Sequence, residues 1–544
     1  MALDLREFER TAERIRAKAQ AEGRLTDNPD ARQLRAILAR EPGARKTRYG
    51  NYAVESEPTS RSAIFTKNSV DDAFGDDERR LLAQCEEALS HQRLISLDRV
   101  VGEENSGKTV RLIVPERFAH VAYGGGNLFV PCEHPVDNPT YHIVFFYDDA
   151  FDRNRDLPLA QKDITIRLAM LEDGHFVKIV RNGNYIGEYK KGVFAAEDWT
   201  AKAHGNGIFL HAGCREDHLQ SSHGEYRTVR TMLVALSANG KTSTTCKILA
   251  RKGNEKSWLV QDDGGTLMPD GSFHGYEAGG VFVKTEGVNP GTQAEIFYGL
   301  LKPSTLCENV YVSDDGDFDF YNFQRTSNGR AVVRRADFMH ASNSIDVEHV
   351  DNFVLITRGP LIPAISRLTR EQAAALMVLG QAMESSAGNP ALAGTIRSEF
   401  FYDPFVAGDR AAHANRFYGI QTCLPEMNYY LLNTSGIGSV VRNGGDPDEP
   451  ADSRYRNIRL EDTMAILDSL LRGGLENWVE SPSGFLVPGS VRAVDDIYFH
   501  PEKLFSATEF EENQATLNRV RREAIEKVGP GLDRAIRTAF DIRS

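Results

Sequence analysis

The segment Ala235-Leu-Ser-Ala-Asn-Gly-Lys-Thr242 has the spacing of a phosphate-binding loop, G-x-x-x-x-G-K-[ST], with Ala235 where the first glycine stands. The chemistry of that pattern is electrostatic. Backbone N–H groups of Ser237, Ala238, Asn239 and Gly240 cradle phosphate oxygens, Lys241 supplies a cation, and the Thr242 hydroxyl holds magnesium. Such loops use left-handed backbone angles, and Asn239 is the non-glycine residue that best tolerates them. Downstream, Val260-Gln-Asp-Asp263 sets two carboxylates at the end of an apolar strand, the position from which an aspartate reaches a phosphate-bound metal. A chance Gly-Lys-Thr turn and a solvated Asp-Asp turn are the bland alternatives, and it is the pairing of the two that favours a nucleotide and metal site. Upstream, Tyr185-Ile-Gly-Glu-Tyr-Lys-Lys-Gly192 reads as two lysines in a glycine-bounded turn, and Gly207-Ile-Phe-Leu-His211 ends an apolar run on a histidine. Alone, a lysine pair is usually surface and a lone histidine usually structural.

The elements that must position these groups follow from periodicity. Helical spacing over Leu3 to Gln20 and around Asp77 to His91 predicts surface helices. Short β-rich runs, Arg111–Val114, Tyr141–Phe146 and Phe176–Val180, predict an N-terminal sheet domain. From Gly205 the pattern is strand Met232–Leu236, glycine turn, helix, strand Ser257–Gln261, two aspartates, then short strands to Thr357, the alternation of a nucleotide-binding core. Helices are expected over Thr369 to Glu384 and Arg459 to Leu471, with the Gly/Pro/Ala-rich Ala387 to Gly394 as a mobile loop over the site. The tail from Glu509 to Phe540 reads as charged and helical.

With 544 residues the chain divides into two or three domains, and its net charge of -13 argues against nucleic acid and for small anionic ligands. The six cysteines show no paired spacing, the N-terminus has no apolar core for a signal peptide, and no run is apolar enough to span a membrane. A cytoplasmic protein, monomeric or a small homo-oligomer, is expected.

The order of these motifs resembles the ATP-dependent phosphoenolpyruvate carboxykinase family, in which a Tyr…Lys-Lys-Gly segment, a metal-binding histidine, a P-loop and an Asp-Asp strand follow one another. Further segments are similar to the family's: Thr59-Ser-Arg-Ser62 to T-G-R-S, Tyr276-Glu-Ala-Gly-Gly-Val-Phe-Val-Lys-Thr285 to E-G-G-x-Y-A-K-T, and Ala294–Phe297 to P-E-I-Y. So are Leu306-Cys-Glu-Asn-Val310 to L-L-E-N-V, Asn328-Gly-Arg330 to N-T-R, Pro363–Thr369 to P-P-V-S-R-L-T, and Asp462-Thr463 to K-D-T. The resemblance implies a phosphoenolpyruvate-carboxykinase-like α/β fold. Residues 1–204 would form an N-terminal substrate-binding domain. Residues 205–544 would form a P-loop-containing mononucleotide-binding domain with a mobile lid near 384–394. It implies ATP-dependent conversion of oxaloacetate to phosphoenolpyruvate and CO2, with Mg2+ and Mn2+. Arg61 and Tyr185 would hold the substrate carboxylate, Lys190 would face the reacting oxygens, and Lys191, His211 and Asp263 would ligate a manganese-type ion. Lys241, Thr242, Lys284, Arg330, Ile458 and Thr463 would serve the nucleotide, with a neutral Lys191 required of a metal ligand.

The sequence departs from the family at the loop, where Ala235 and Ala238 replace glycines. It departs at Ile186, a branched residue where the family lets the carboxylate approach backbone. It departs again after the histidine, where His211-Ala-Gly-Cys214 replaces H-C-S-A-N and a polar segment, Arg215 to Arg230, follows. These differences open a second reading, a kinase on the same fold that phosphorylates another small carboxylate or a protein hydroxyl, and a third, a non-catalytic nucleotide-binding regulator.

Overall fold

The computed structural model describes residues 3–57, 59–103, 106–205, 207–236, 239–324, 328–383, 396–438 and 454–540, with backbone alone at 59–61, 381–383 and 396–397. The expected lid at 384–394, Ser237 and Ala238 of the phosphate loop, and the side chain of Arg61 lie outside the described residues. The fold is mixed α/β. The chain forms two units: Met1–Phe209, His274–Ile345 and Pro404–Gly408 make the first, and Leu210–Phe273, Asp346–Asp403 and Asp409–Ser544 the second. No helix among the described residues is long and apolar enough to cross a membrane.

The larger sheet of the first unit runs Leu25–Asp27, Leu94–Val100, Thr109–Pro115, Tyr141–Phe146, Phe176–Arg181, Thr165–Met170, Thr66–Asn68. Tyr141–Phe146 and Phe176–Arg181 pair in parallel and are buried almost throughout, the pattern of strands covered on both faces. The helices Arg6–Ala21 and Asp76–Leu89 lay Phe8, Ile15, Leu81 and Cys85 on one face of this sheet, against Val144, Phe146 and Ile179.

The lysine pair does not lie in a turn. It occupies the opening turns of the 19-residue helix Ile186–His204, which Gly205 closes in the left-handed region at φ 73°. Gly187 and Gly192 suggested a turn, but the Ala-containing stretch beyond them and tertiary packing outweigh two glycines. The neighbouring helix Ala119–Leu128 carries Gly124, where a Cβ would lie 2.8 Å from Ile186 Cδ1, so the close approach of the two helices requires glycine there.

A smaller sheet in this unit runs Gly280–Lys284, Arg330–Arg334, Leu306–Glu308, Tyr52–Val54, Arg45–Lys46. Its register sets Lys284 opposite Arg330, and Arg330 opposite Glu308.

The sheet of the second unit runs Lys256–Gln261, Ala212–Gln220, Tyr226–Ala235, Asn352–Thr357, Asn428–Asn433, Ile365–Leu368, Leu486–Val487, Val479–Glu480. Its centre is parallel, Tyr226–Ala235 beside Asn352–Thr357 beside Asn428–Asn433. The polar segment before the phosphate loop is an antiparallel hairpin of Ala212–Gln220 and Tyr226–Ala235. Leu233, Ala235, Val354 and Ile356 pack with Ile466, Leu467 and Leu471 of the helix Leu460–Leu471. The C-terminal tail is helical over Ala507–Val528, stops at Gly529-Pro530, and resumes only at Arg534–Arg537.

Candidate functional site

In the second unit, the strand Tyr226–Ala235 delivers the phosphate loop to the C-terminal edge of the three parallel strands, where open α/β sheets bind phosphates. The loop leads into a helix of only five residues, Lys241–Thr245, and Gly240 takes the left-handed angle at its start, φ 93°. Asn239 is buried; its carbonyl accepts from Thr434 Oγ1 at 2.8 Å, while its Nδ2 has no hydrogen-bond partner among the described residues. An unsatisfied buried donor is costly, and a phosphate, which only accepts, would satisfy it.

Lys241 is buried beneath the loop, with Nζ ion-paired to Asp263 Oδ1 and 3.2 Å from the Asp263 carbonyl. His211 Nε2 stands 3.0 Å from the same carboxylate oxygen. Groups from two other sequence motifs therefore converge on Asp263. An imidazole nitrogen beside a carboxylate oxygen offers two donors to a divalent cation. Among the described residues no group of three or more His, Cys, Asp or Glu side chains gathers to hold a metal. Thr242 is the second residue of the short helix, directly after Lys241. Ile458 is buried in the apolar core with Ile466, and the Thr463 hydroxyl donates to the Arg459 carbonyl at 3.2 Å.

In the first unit, Tyr185 precedes the lysine helix with its ring buried. Burial pushes its hydroxyl pKa up to about 12, with the Arg330 guanidinium acting against it. Lys190 is buried, paired with Glu277 at 3.1 Å, and lies over the rings of Phe194 and Phe282 at 5.1 and 5.5 Å. Lys191 is more open, and its Nζ reaches Glu188 at 2.9 Å and Ser62 Oγ at 3.0 Å. Ser62 belongs to the turn Thr59–Phe65 that contains Arg61, so that turn is tied to the lysine helix. Glu188 also receives Lys178 Nζ at 2.8 Å; burial alone would raise this carboxylate, but Lys178 and Lys191 hold it down at about 2. Arg330 is buried, bonded to Glu286 at 3.1 Å, and across the sheet from the exposed Lys284.

Ile186 is fully buried, with its side chain against Gly124 and its amide donating to Glu308 Oε1 at 2.9 Å. The branched side chain packs into the core against Gly124, where a Cβ would lie 2.8 Å from its Cδ1. Sequence reasoning assigned no role to Glu188, Lys178, Glu277, Glu286 or Glu308, the groups that hold the candidate lysines, Arg330 and the start of the lysine helix. Glu188 was findable, since it lies three residues before Lys191 at helical spacing. Lys178 carries no local signal, because only the pairing of sheet and helix brings it to Glu188.

A family model described as Phosphoenolpyruvate carboxykinase matches residues 35–496. The chain is 26% identical over 481 residues to the phosphoenolpyruvate carboxykinase (ATP) of Aeropyrum pernix, covering 88% of this chain and 89% of that protein. It is 25% identical over 378 residues to the phosphoenolpyruvate carboxykinase (ATP) of Roseobacter denitrificans, 66% of this chain and 64% of that one. Against that of Candida glabrata it is 25% identical over 354 residues, 61% and 57%.

Proposed function

The chain belongs to the phosphoenolpyruvate carboxykinase family, and from that premise we propose that it converts oxaloacetate and ATP to phosphoenolpyruvate, CO2 and ADP with divalent metal. The observation that carries this reading is the convergence of Lys241 and His211 on Asp263. It joins the phosphate loop, the histidine and the Asp-Asp strand, as a reaction that couples a nucleotide to a metal requires.

In the reaction, loss of CO2 breaks a carbon–carbon bond of oxaloacetate and leaves its electron pair as an enolate. The enolate oxygen then bonds to the γ-phosphorus, and ADP leaves. Divalent cations would stabilise the negative charge on the enolate and phosphate oxygens, Mn2+ through His211 and Asp263 and Mg2+ through Thr242. Residues 1–204 would supply most of the carboxylate side, with Arg61 as a two-pronged clamp and Tyr185 beside it, while Lys190 faces the reacting oxygens. Residues 205–544 would carry the nucleotide. Gly240 and Asn239 would hold phosphate, Lys241 would offset its charge, and the region of Ile458 and Thr463 would receive adenine.

Phosphoenolpyruvate formation from oxaloacetate and ATP, assayed with Mg2+ and Mn2+, tests the proposal. Lys241→Ala and His211→Ala should each lower the rate by about a hundredfold or more, the scale at which single preorganised charge contacts act. A wild-type protein that binds ATP tightly but forms no phosphoenolpyruvate would sink the proposal.

A further inference from the structure

Arg358 directly follows the strand Asn352–Thr357. On one side of that strand Ile356 pairs with Ala235 of the phosphate-loop strand, and on the other Thr357 pairs with Asn433, both in parallel. Arg358 therefore emerges at the edge of the sheet from which the phosphate loop springs. Thr434 ties the neighbourhood together: its N–H donates to the Thr357 carbonyl at 3.1 Å and its hydroxyl to the Asn239 carbonyl at 2.8 Å.

No carboxylate among the described residues pairs with this guanidinium. Among the described residues Arg358 forms no hydrogen bond or ion pair, and its Nε is sealed from solvent without a partner. Burial lowers its pKa, and among the described residues the Tyr455 hydroxyl opposes this. Two other arginines of the same unit, Arg215 and Arg472, are each matched to a buried carboxylate, Asp217 at 2.6 Å and Glu255 at 2.5 Å. Arg358 is half-buried, and a sealed Nε that only donates is unfavourable without a partner unless a ligand supplies the acceptor. The orphaned Nδ2 of Asn239, also a donor, lies on the other side of Thr434.

We propose that Arg358 is a phosphate ligand of the nucleotide, which with the Asn239 amide adds donors at the strand edge to the one that Lys241 supplies. This rests on the nucleotide-dependent reaction proposed above. It also compensates for the loop's alanines, since a cation on the adjacent strand supplies attraction that a methylated loop backbone gives up.

Isothermal titration of the full chain with ATP and with adenosine tests it, comparing wild type, Arg358→Met and Arg358→Lys, with melting temperatures taken without ligand. Arg358→Met should weaken ATP binding by about tenfold to a hundredfold, the range for a charge-assisted hydrogen bond. It should leave adenosine binding unchanged and the ligand-free melting temperature unchanged or higher, because no protein contact is lost. Arg358→Lys should recover part of the ATP affinity. Wild-type affinity for ATP in Arg358→Met, or an equal loss for adenosine, would overturn the assignment and leave the proposed reaction standing. Failure of the wild type to bind ATP would overturn both.

Discussion

Glu308 ends the strand Leu306–Glu308 with its side chain fully buried, and it accepts the Ile186 N–H that opens the lysine helix. Burial raises its pKa from 4.5 to about 7, although His120, the Ile186 amide, Ser56 and Arg330 pull the other way. A folded-state value above the unfolded one means that the stability it contributes is present in full below about pH 4.5 and is lost as the pH rises through about 7. The shift corresponds to an upper bound of about 3 kcal/mol. Glu308→Gln keeps an oxygen for Ile186 and cannot ionise. Its stability in urea should therefore fall less than that of the wild type between pH 5 and pH 8; parallel profiles would show that this carboxyl does not titrate in that window. His120 works in the same direction. Both its ring nitrogens face oxygen atoms, Glu41 and the Asn184 carbonyl at 2.6 Å, and although burial pulls its pKa down, Glu41 raises it above the usual value, so the comparison must be between variant and wild type. At this scale, Lys241, His211 and Asp263 were legible because motif spacing encodes them. Glu308 was legible as part of a motif but not as a buried acid, since its environment comes from Tyr52–Val54, Arg330 and Ile186, none of them its sequence neighbours.

The phosphate-loop helix, Lys241–Thr245, is too short to hold itself, because nucleating a turn costs more than one hydrogen bond returns. The hairpin strand Ala212–Gln220 supplies what it lacks. Arg215 Nη1 donates to the Thr244 carbonyl at 2.6 Å and Nη2 to the Lys247 carbonyl at 2.8 Å, taking carbonyls that a helix end leaves unsatisfied. Asp217 grips the same guanidinium at 2.6 and 2.8 Å and is itself bonded by Ser257 Oγ at 2.7 Å. Arg215→Met strands a buried carboxylate and should cost about 3–5 kcal/mol of stability. Arg215→Met with Asp217→Leu should regain much of that, yet still bind ATP more weakly than wild type, because the helix end remains unheld. Denaturant titration and ATP titration of the single and double variants separate the two effects, and full ATP affinity in the double variant would reduce the pair to packing. The strand was not legible in the sequence. Arg215, Asp217 and Ser257 satisfy one another inside the unit, so a polar stretch that reads as solvated is in fact buried in part. The lysine helix was misread for the converse reason, glycines that local rules assign to a turn being retained for close packing.

The chain passes between the two units at 209/210, 273/274, 345/346, 403/404 and 408/409, so neither is one continuous stretch. The first unit needs the return of 274–345, because its smaller sheet joins Arg45–Lys46 and Tyr52–Val54 to Leu306–Glu308, Arg330–Arg334 and Gly280–Lys284. The helix end at Gly205 is readable from sequence as a boundary, whereas that pairing is not, since strand partners distant in the chain leave no local pattern. A fragment of residues 1–204 would leave Tyr52–Val54 as an open edge, uncover Gly124 and Ile186 where Leu306 packs, and strip Lys190 of Glu277 and Tyr185 of Arg330. Those losses fall on the carboxylate side of the proposed reaction, around the two helices that present its lysines. The larger sheet, whose strands all precede residue 182, keeps its hydrogen bonds in the fragment. The expected result is therefore a partly ordered species rather than an unfolded one. Amide hydrogen exchange should show Tyr141–Phe146 and Phe176–Arg181 protected, while Ala119–Leu128 and the opening turns of Ile186–His204 exchange quickly. In the full chain all four segments should be protected. Equal protection of the lysine helix in fragment and full chain would mean that residues 1–204 fold without the returning strands, and that Glu308, Glu277 and Arg330 are dispensable for holding it.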